Sequence, residues 1–233
     1  MNFSLGLDAA GWSAVRLSLE VGFLATLAVA PPGLALGWLL ARKDFHGKAV
    51  VDALVHLPLV CTPVVTGYLL LLLFGRHGPL GAPLTAWGFP VAFAFPGAVL
   101  AAATVALPLM VRSARTAIDL VDPRLEQAAA TLGAAPWRVF LRITLPLAWP
   151  GLLAGVVVSF ARALGEFGAT ITLAGAISGE TRTLPVAIHA ALQSPDGDAL
   201  AIRLTVASLV VSMAALLAAD ACDRHLRRRG GRS

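Results

Sequence analysis

Arg162 and Glu166 stand one helical turn apart inside an otherwise apolar run, Phe160-Ala-Arg-Ala-Leu-Gly-Glu-Phe-Gly-Ala-Thr170. An ionisable group in lipid-compatible surroundings is costly, and it marks either a functional site or an obligatory partner. An unpaired Glu166 carboxylate would be costly to bury, whereas pairing with Arg162 neutralises it and keeps it ordered. Glu166 is therefore expected as a structural anchor. Gly165 and Gly168, on either side of Glu166 and Phe167, permit a helix break or a close helix crossing. Thr170 adds a hydroxyl.

A second candidate set lies in His56–Tyr68, where Pro58 and Pro63 interrupt an apolar stretch beside Thr62 and Thr66. Broken helices are tolerated at membrane depth only inside a bundle or beside a water-filled path. A kinked packing helix and a path-lining helix both fit.

Bond-making chemistry finds no foundation here. The five histidines are scattered at 46, 56, 77, 189 and 225, and Cys61 and Cys222 have no second thiol or histidine at metal spacing. Nor does the sequence contain G-x4-G-K-[ST], the phosphate-cradling loop of nucleotide hydrolases.

The elements that must position these residues follow from composition. The chain of 233 residues is 58% hydrophobic and 13% charged, against about 25% charged in a soluble domain. Five apolar runs approach the ~20 residues that cross a bilayer as helix. They fall at about 17–41, 53–74, 91–111, 147–174 and 200–219. Continuous apolarity excludes a β-barrel, which alternates. The sequence reads as one all-α integral membrane domain, 1–233, with five spans. Residues 169–177 and 184–192 are candidates for a sixth, re-entrant or short outer element.

Arg42, Lys43 and Lys48 follow the first run, five arginines from Arg112 to Arg142 follow the third, and Arg224, Arg227, Arg228, Arg229 and Arg232 close the chain. By the positive-inside rule the N-terminus is outside and the C-terminus cytoplasmic. The net charge of +5 is thereby a topology signal, and nucleic acid is not an expected partner. Ala28-Val29-Ala30 resembles a cleavage site, but no basic region precedes it and apolarity continues to Leu40, so an uncleaved span is expected.

The 112–146 loop interrupts the apolar pattern with charge. Asp122-Pro123 predicts a helix start, an acidic N-cap followed by proline at the first position. Glu126 suits the first turn, and Gly133 a C-terminal stop. Pro136 opens a second helix expected to run to Pro146, where the fourth span begins. An amphipathic hairpin at the membrane surface and a docking element for a partner both fit this pattern.

Gln127-Ala128-Ala129, Gly133, Ile143 and Leu145-Pro146 match the "EAA" loop of ABC importer permeases, E-A-A-x3-G-x9-I-x-L-P, at every spacing. The departure is Gln127 in place of the usual glutamate, with Glu126 one residue earlier. The resemblance implies a type I importer permease fold and a cytoplasmic coupling helix that inserts into an ATP-binding subunit. Glu126, Gln127, Ala128, Ala129, Gly133, Ile143, Leu145 and Pro146 would make that contact.

The run around Glu166, residues 56–72, Val111–Arg115 and Thr181–Ile188 resemble molybdate/tungstate importer permeases, with sulfate/thiosulfate permeases as close relatives. The resemblance implies a homodimer with two ATPase subunits and an extracytoplasmic oxyanion-binding protein. ATP and Mg would be bound by the ATPase, with no cofactor on this chain. Thr62, Pro63, Thr66, Arg162, Gly165, Glu166, Phe167, Gly168 and Thr170 would form the path or gate. An ion-coupled secondary transporter is the alternative outside this family, and a membrane enzyme finds least support.

Overall fold

The computed structural model describes residues 7–230, with side chains through residue 217. Cys222 and the basic side chains of the tail, expected as a topology signal, lie outside the described side chains. Every regular element among the described residues is helical.

Helix α1, Ala9–Arg42, opens with the Asp8 carboxylate accepting the Gly11 N–H and passes without interruption through Pro31-Pro32. The expected cleavage-like tripeptide lies mid-helix, with Val29 buried. After Gly47, α2 (Lys48–Val60) and α3 (Pro63–Phe74) follow. The short α4, Gly81–Ala86, leads to α5, Phe95–Asp119. Beyond it come α6 (Pro123–Thr131) and α7 (Pro136–Val139). A π-helical turn, Phe140–Thr144, joins α7 to α8, Leu145–Leu164. Then come α9 (Gly168–Leu173), α10 (Leu184–Leu192) and α11 (Asp198–Gly230).

Among the described residues, four helical stretches are long and apolar enough to cross a membrane: Ala9–Arg42, Phe95–Asp119, Pro136–Leu164 and Asp198–Leu217. The expected second span, 53–74, is not one helix. It is the pair α2 and α3, bent by 114°, and counts as a fifth span only when taken together. Pro63 disfavours helical geometry at Thr62 and brings no N–H to continue the ladder. Cys61 and Thr62 are accordingly extended, at ψ 148° and 142°.

Four further boundaries differ from the hydropathy reading. The third span begins at Phe95, not 91, because Phe93 is held at φ 56°. It also continues through Arg112 to Asp119, so the first part of the expected 112–146 loop is helix. The second coupling helix does not end at Pro146; from Pro136 it runs on as one stretch to Leu164. The fourth span stops at Leu164 instead of reaching 174, and α9 resumes separately. Hydropathy reports where lipid contact ends, whereas helical hydrogen bonding continues into charged residues that water can solvate.

The core is α1 against α5 against α8, built on small side chains. A methyl on Gly37 would meet Ala114 Cβ at 2.6 Å, and one on Gly155 would meet Ser113 Cβ at 2.7 Å. Such backbones approach closely where no hydrophobic force separates helix from lipid. Val21, Ala25, Ala102, Ala106 and Met110 bury together in one cluster, and Ala117, Ile118, Ala148 and Leu152 in another. Helices α10 and α11 close the far side, where the Leu184 N–H donates to the Ser18 hydroxyl of α1 at 2.6 Å.

Candidate functional site

Two places gather the expected residues: the hairpin of α6 and α7, and a meeting of helix breaks at α3 and α9.

In the hairpin, Asp122 caps α6 by accepting the Arg124 N–H at 2.9 Å, with Pro123 in the first turn. The helix stops at Gly133, φ 81°. There Gly133 N–H donates to Ala130 C=O and Ala134 N–H to Ala129 C=O, each at 3.0 Å, a Schellman closure. No residue of α6 is buried. Gln127 and Ala128 are exposed and Ala129 is half-buried. Leu132 is 88% exposed and Trp137 61%. Arg138 stacks over the Trp137 ring at 5.1 Å. Ala129, Leu132, Gly133, Arg138, Arg142 and Ile143 help to line a groove of about 340 Å³. Ile143 and Leu145 are half-buried, and Pro146 is exposed.

Glu126 turns away from that face. Its Oε1 accepts from the Thr144 hydroxyl at 2.7 Å and from Arg42 Nη2 at 3.1 Å, and its Oε2 from Arg42 Nε at 3.1 Å. Arg42 Nη2 also donates to the Val121 carbonyl at 2.9 Å. The Arg42 and Glu126 side chains are 14% and 20% exposed, and Thr144 is buried. Bidentate pairs of this kind are geometrically specific as well as strong. Beside them the Trp38 ring meets Phe140 edge-on at 6.1 Å. Arg42 and Thr144 were not among the expected site residues. Arg42 read as a topology charge and Thr144 as the free position of the I-x-L-P end, and a partner 84 residues away leaves no local pattern.

At the second place, α8 ends at Gly165 and α9 begins at Gly168. Glu166 lies between them, 3% exposed. One oxygen takes Arg162 Nη2 at 2.7 Å, and the other accepts the Ala169 N–H at 2.8 Å. The carboxylate thus fastens the end of one helix to the start of the next. Gly168 fits against α3, where a methyl would stand 2.8 Å from Pro63 Cβ. Gly165 has open surroundings: a methyl there would meet only the Ala161 carbonyl oxygen, at 3.7 Å. Of the helix break or close crossing expected of these glycines, Gly165 stands at the break and Gly168 makes the crossing. Phe167 leans on His189, ring centroids 4.9 Å apart. At the other end of α9, the Phe93 N–H donates to the Leu173 carbonyl at 3.0 Å.

Thr62 is exposed at the α2–α3 bend, while Thr66 and Thr170 are buried. Thr170 therefore packs inside the single chain. The structure brings Pro63, Glu166 and Gly168 to one locality and holds Arg162 to Glu166. A separate cleft of about 530 Å³ between α1, α8 and α11 contains none of the expected residues. Its lining is apolar apart from Thr26 and Ser212.

Residues 33–228 match the family described as binding-protein-dependent transport system inner membrane component. The molybdenum transport system permease protein ModB of Escherichia coli (strain K12) is 52% identical over 222 residues, covering 95% of this chain and 97% of that protein. ModB of Haemophilus influenzae is 46% identical over 220 residues, covering 94% and 96%. The sulfate transport system permease protein CysW of Synechococcus elongatus is 40% identical over 178 residues, covering 76% and 62%. Among solved structures, a bacterial ABC transporter involved in import of the acidic polysaccharide alginate superposes with a TM-score of 0.77. It is 20% identical, and the match covers 95% of this chain and 82% of that one. The MetNI methionine ABC transporter, in an inward-facing form, gives 0.68 at 15% identity, covering 93% and 94%.

Proposed function

The chain belongs to the family of binding-protein-dependent transport system inner membrane components, and on that premise we propose that it is the membrane subunit of an ATP-driven importer carrying molybdate, with tungstate as its close chemical analogue. Its fold is that of type I ABC importer permeases. The observation that carries the substrate is the 52% identity to a molybdenum permease over almost the whole of both chains.

Membership implies an ATPase subunit and a binding protein in general. The finer assembly is part of the proposal: two copies of this chain, two ATPase subunits on the hairpins, and an oxyanion-binding protein on the outer face. The N-terminus is outside and the C-terminus cytoplasmic. ATP and Mg belong to the ATPase, and this chain hydrolyses nothing. Closure of the ATPase pair moves the exposed Leu132–Trp137 face, and the α5–α8 bundle follows. Arg162 is occupied by Glu166, so the expected path offers weak and transient contacts. Selectivity then resides in the binding protein.

The test is reconstitution of the chain with its ATPase in proteoliposomes, with the binding protein on the outside. ATP-dependent, vanadate-sensitive molybdate uptake, suppressed by excess tungstate, is the expected result. Sulfate uptake in its place would transfer the reading to the sulfate relatives. Uptake by the chain alone, without ATP, would replace it with an ion-coupled carrier.

A further inference from the structure

We propose that Arg42, Glu126 and Thr144 form an ionic strap that passes displacement of α6 to α1 and to the base of α8 together. The proposal rests on the importer reading above. No residue of helix α6 is fully buried; Leu125 lies half-covered beside Leu147 and Ala148, a modest apolar hold. The side-chain hydrogen bonds that tie it to other elements run through the Glu126 carboxylate, held by Arg42 at the last residue of α1 and by Thr144 at the end of the π-helical turn.

Successive helical residues are rotated by about 100°. Glu126 and its neighbour Gln127 therefore divide the labour: the carboxylate faces the bundle, and the amide faces outward. The planar Arg42 guanidinium engages both carboxylate oxygens and also the Val121 carbonyl just before α6. That fixes direction as well as distance, which a single-point lysine would not. The π turn lies in the same knot. Its Leu145 N–H bonds to Phe140 C=O, and such turns recur at functional sites within helices. Trp38 against Phe140 gives α1 a second hold on that turn. Glu126 is thus a positioning residue, acting through the bundle and not on the ATPase.

The experiment uses the full complex in proteoliposomes with Glu126→Gln, Arg42→Met, Thr144→Val, and the exchange Arg42→Glu with Glu126→Arg. Molybdate imported per ATP hydrolysed is the first readout. Glu126→Gln and Arg42→Met are each expected to lower it about fivefold or more, the low end of ordinary coupling energies. Thr144→Val lowers it less, and the exchange restores part of the loss.

The second readout is a pulsed spin-label distance between Lys43→Cys and Arg124→Cys, an exposed position in the first turn of α6, with native cysteines replaced, in nucleotide-free and vanadate-trapped complexes. It should be the same in both states of the wild type and broaden in Arg42→Met. An unchanged import ratio in both Glu126→Gln and Arg42→Met overturns the proposal. So does a loss confined to Glu126→Gln, which would assign that carboxylate to the ATPase contact. Should Glu126→Gln fail to assemble, Arg42→Met and Thr144→Val decide by the same ratio. Absence of molybdate uptake by the wild type would instead refute the importer reading, and the label distances would still judge the strap.

Discussion

Gly67 and Ala169 meet backbone to backbone: a methyl on Gly67 would stand 2.8 Å from both the Cα and the carbonyl oxygen of Ala169. Neither of those atoms can swing aside as a side chain would. Gly67→Ala is therefore expected to separate α3 from α9 and lower stability by about 1–3 kcal/mol, as overpacking does. Gly47, at φ 93° with no neighbour within 4 Å, is the control, since Gly47→Ala costs only left-handed strain of about 1–2 kcal/mol. Thermal unfolding in detergent, with a trypsin-accessibility probe near α3, checks the pair. Protection of α3 unchanged in Gly67→Ala would contradict the crossing.

Glu166→Ala removes two contacts at once and leaves both Arg162 and the Ala169 N–H without their carboxylate. Breaking a buried pair from one side costs about 3–5 kcal/mol. Glu166→Gln keeps an acceptor for Ala169 and should lose visibly less. If Glu166 were instead a cargo ligand, Glu166→Gln would change the apparent affinity for molybdate while leaving the melting temperature in place. Comparison of the two variants by thermal melts and by uptake separates these roles.

The exposed hairpin face makes a prediction about assembly. Leu132 and Trp137 stand in solvent on either side of the Gly133 stop, and large apolar side chains of this kind anchor interfaces. Leu132→Asp is expected to raise the dissociation constant for the ATPase subunit about tenfold or more, equivalent to about 1.4 kcal/mol. Pull-down titration or surface plasmon resonance reads it. A matched substitution on the connection between α4 and α5, Trp87→Asp, should leave ATPase binding untouched.

Topology is open to direct labelling. With Cys61 and Cys222 replaced by alanine, Ala128→Cys should react with a membrane-impermeant maleimide only after permeabilisation. Trp87→Cys should react in intact spheroplasts. The reverse pattern would invert the proposed orientation.

How much of this was legible in the residues depends on the range of the interaction. Asp122-Pro123 and Gly133 announce α6 because capping is a contest among near neighbours, and the structure bears out both ends. The Arg162–Glu166 pair was legible for the same reason, one turn of one helix. Glu126 was expected among the coupling residues from the local motif; its hydrogen-bond partners lie on α1 and at the foot of α8, and no window of sequence contains them together. Gly165 and Gly168 look alike on paper, but only Gly168 has Pro63 against it. Which glycine is a contact and which is merely a helix end is decided by tertiary packing.

The bend between α2 and α3 also bears on how the chain enters a bilayer. At 12 residues, α3 spans about 18 Å as helix, well short of the ~30 Å hydrocarbon core. It cannot complete a crossing by itself, and its close partner α9 is synthesised only after α5, the hairpin and α8. Until then Gly67 lacks the Ala169 backbone that packs against it. Final seating of α3 is a late event in biogenesis, and α9 is the piece that completes it.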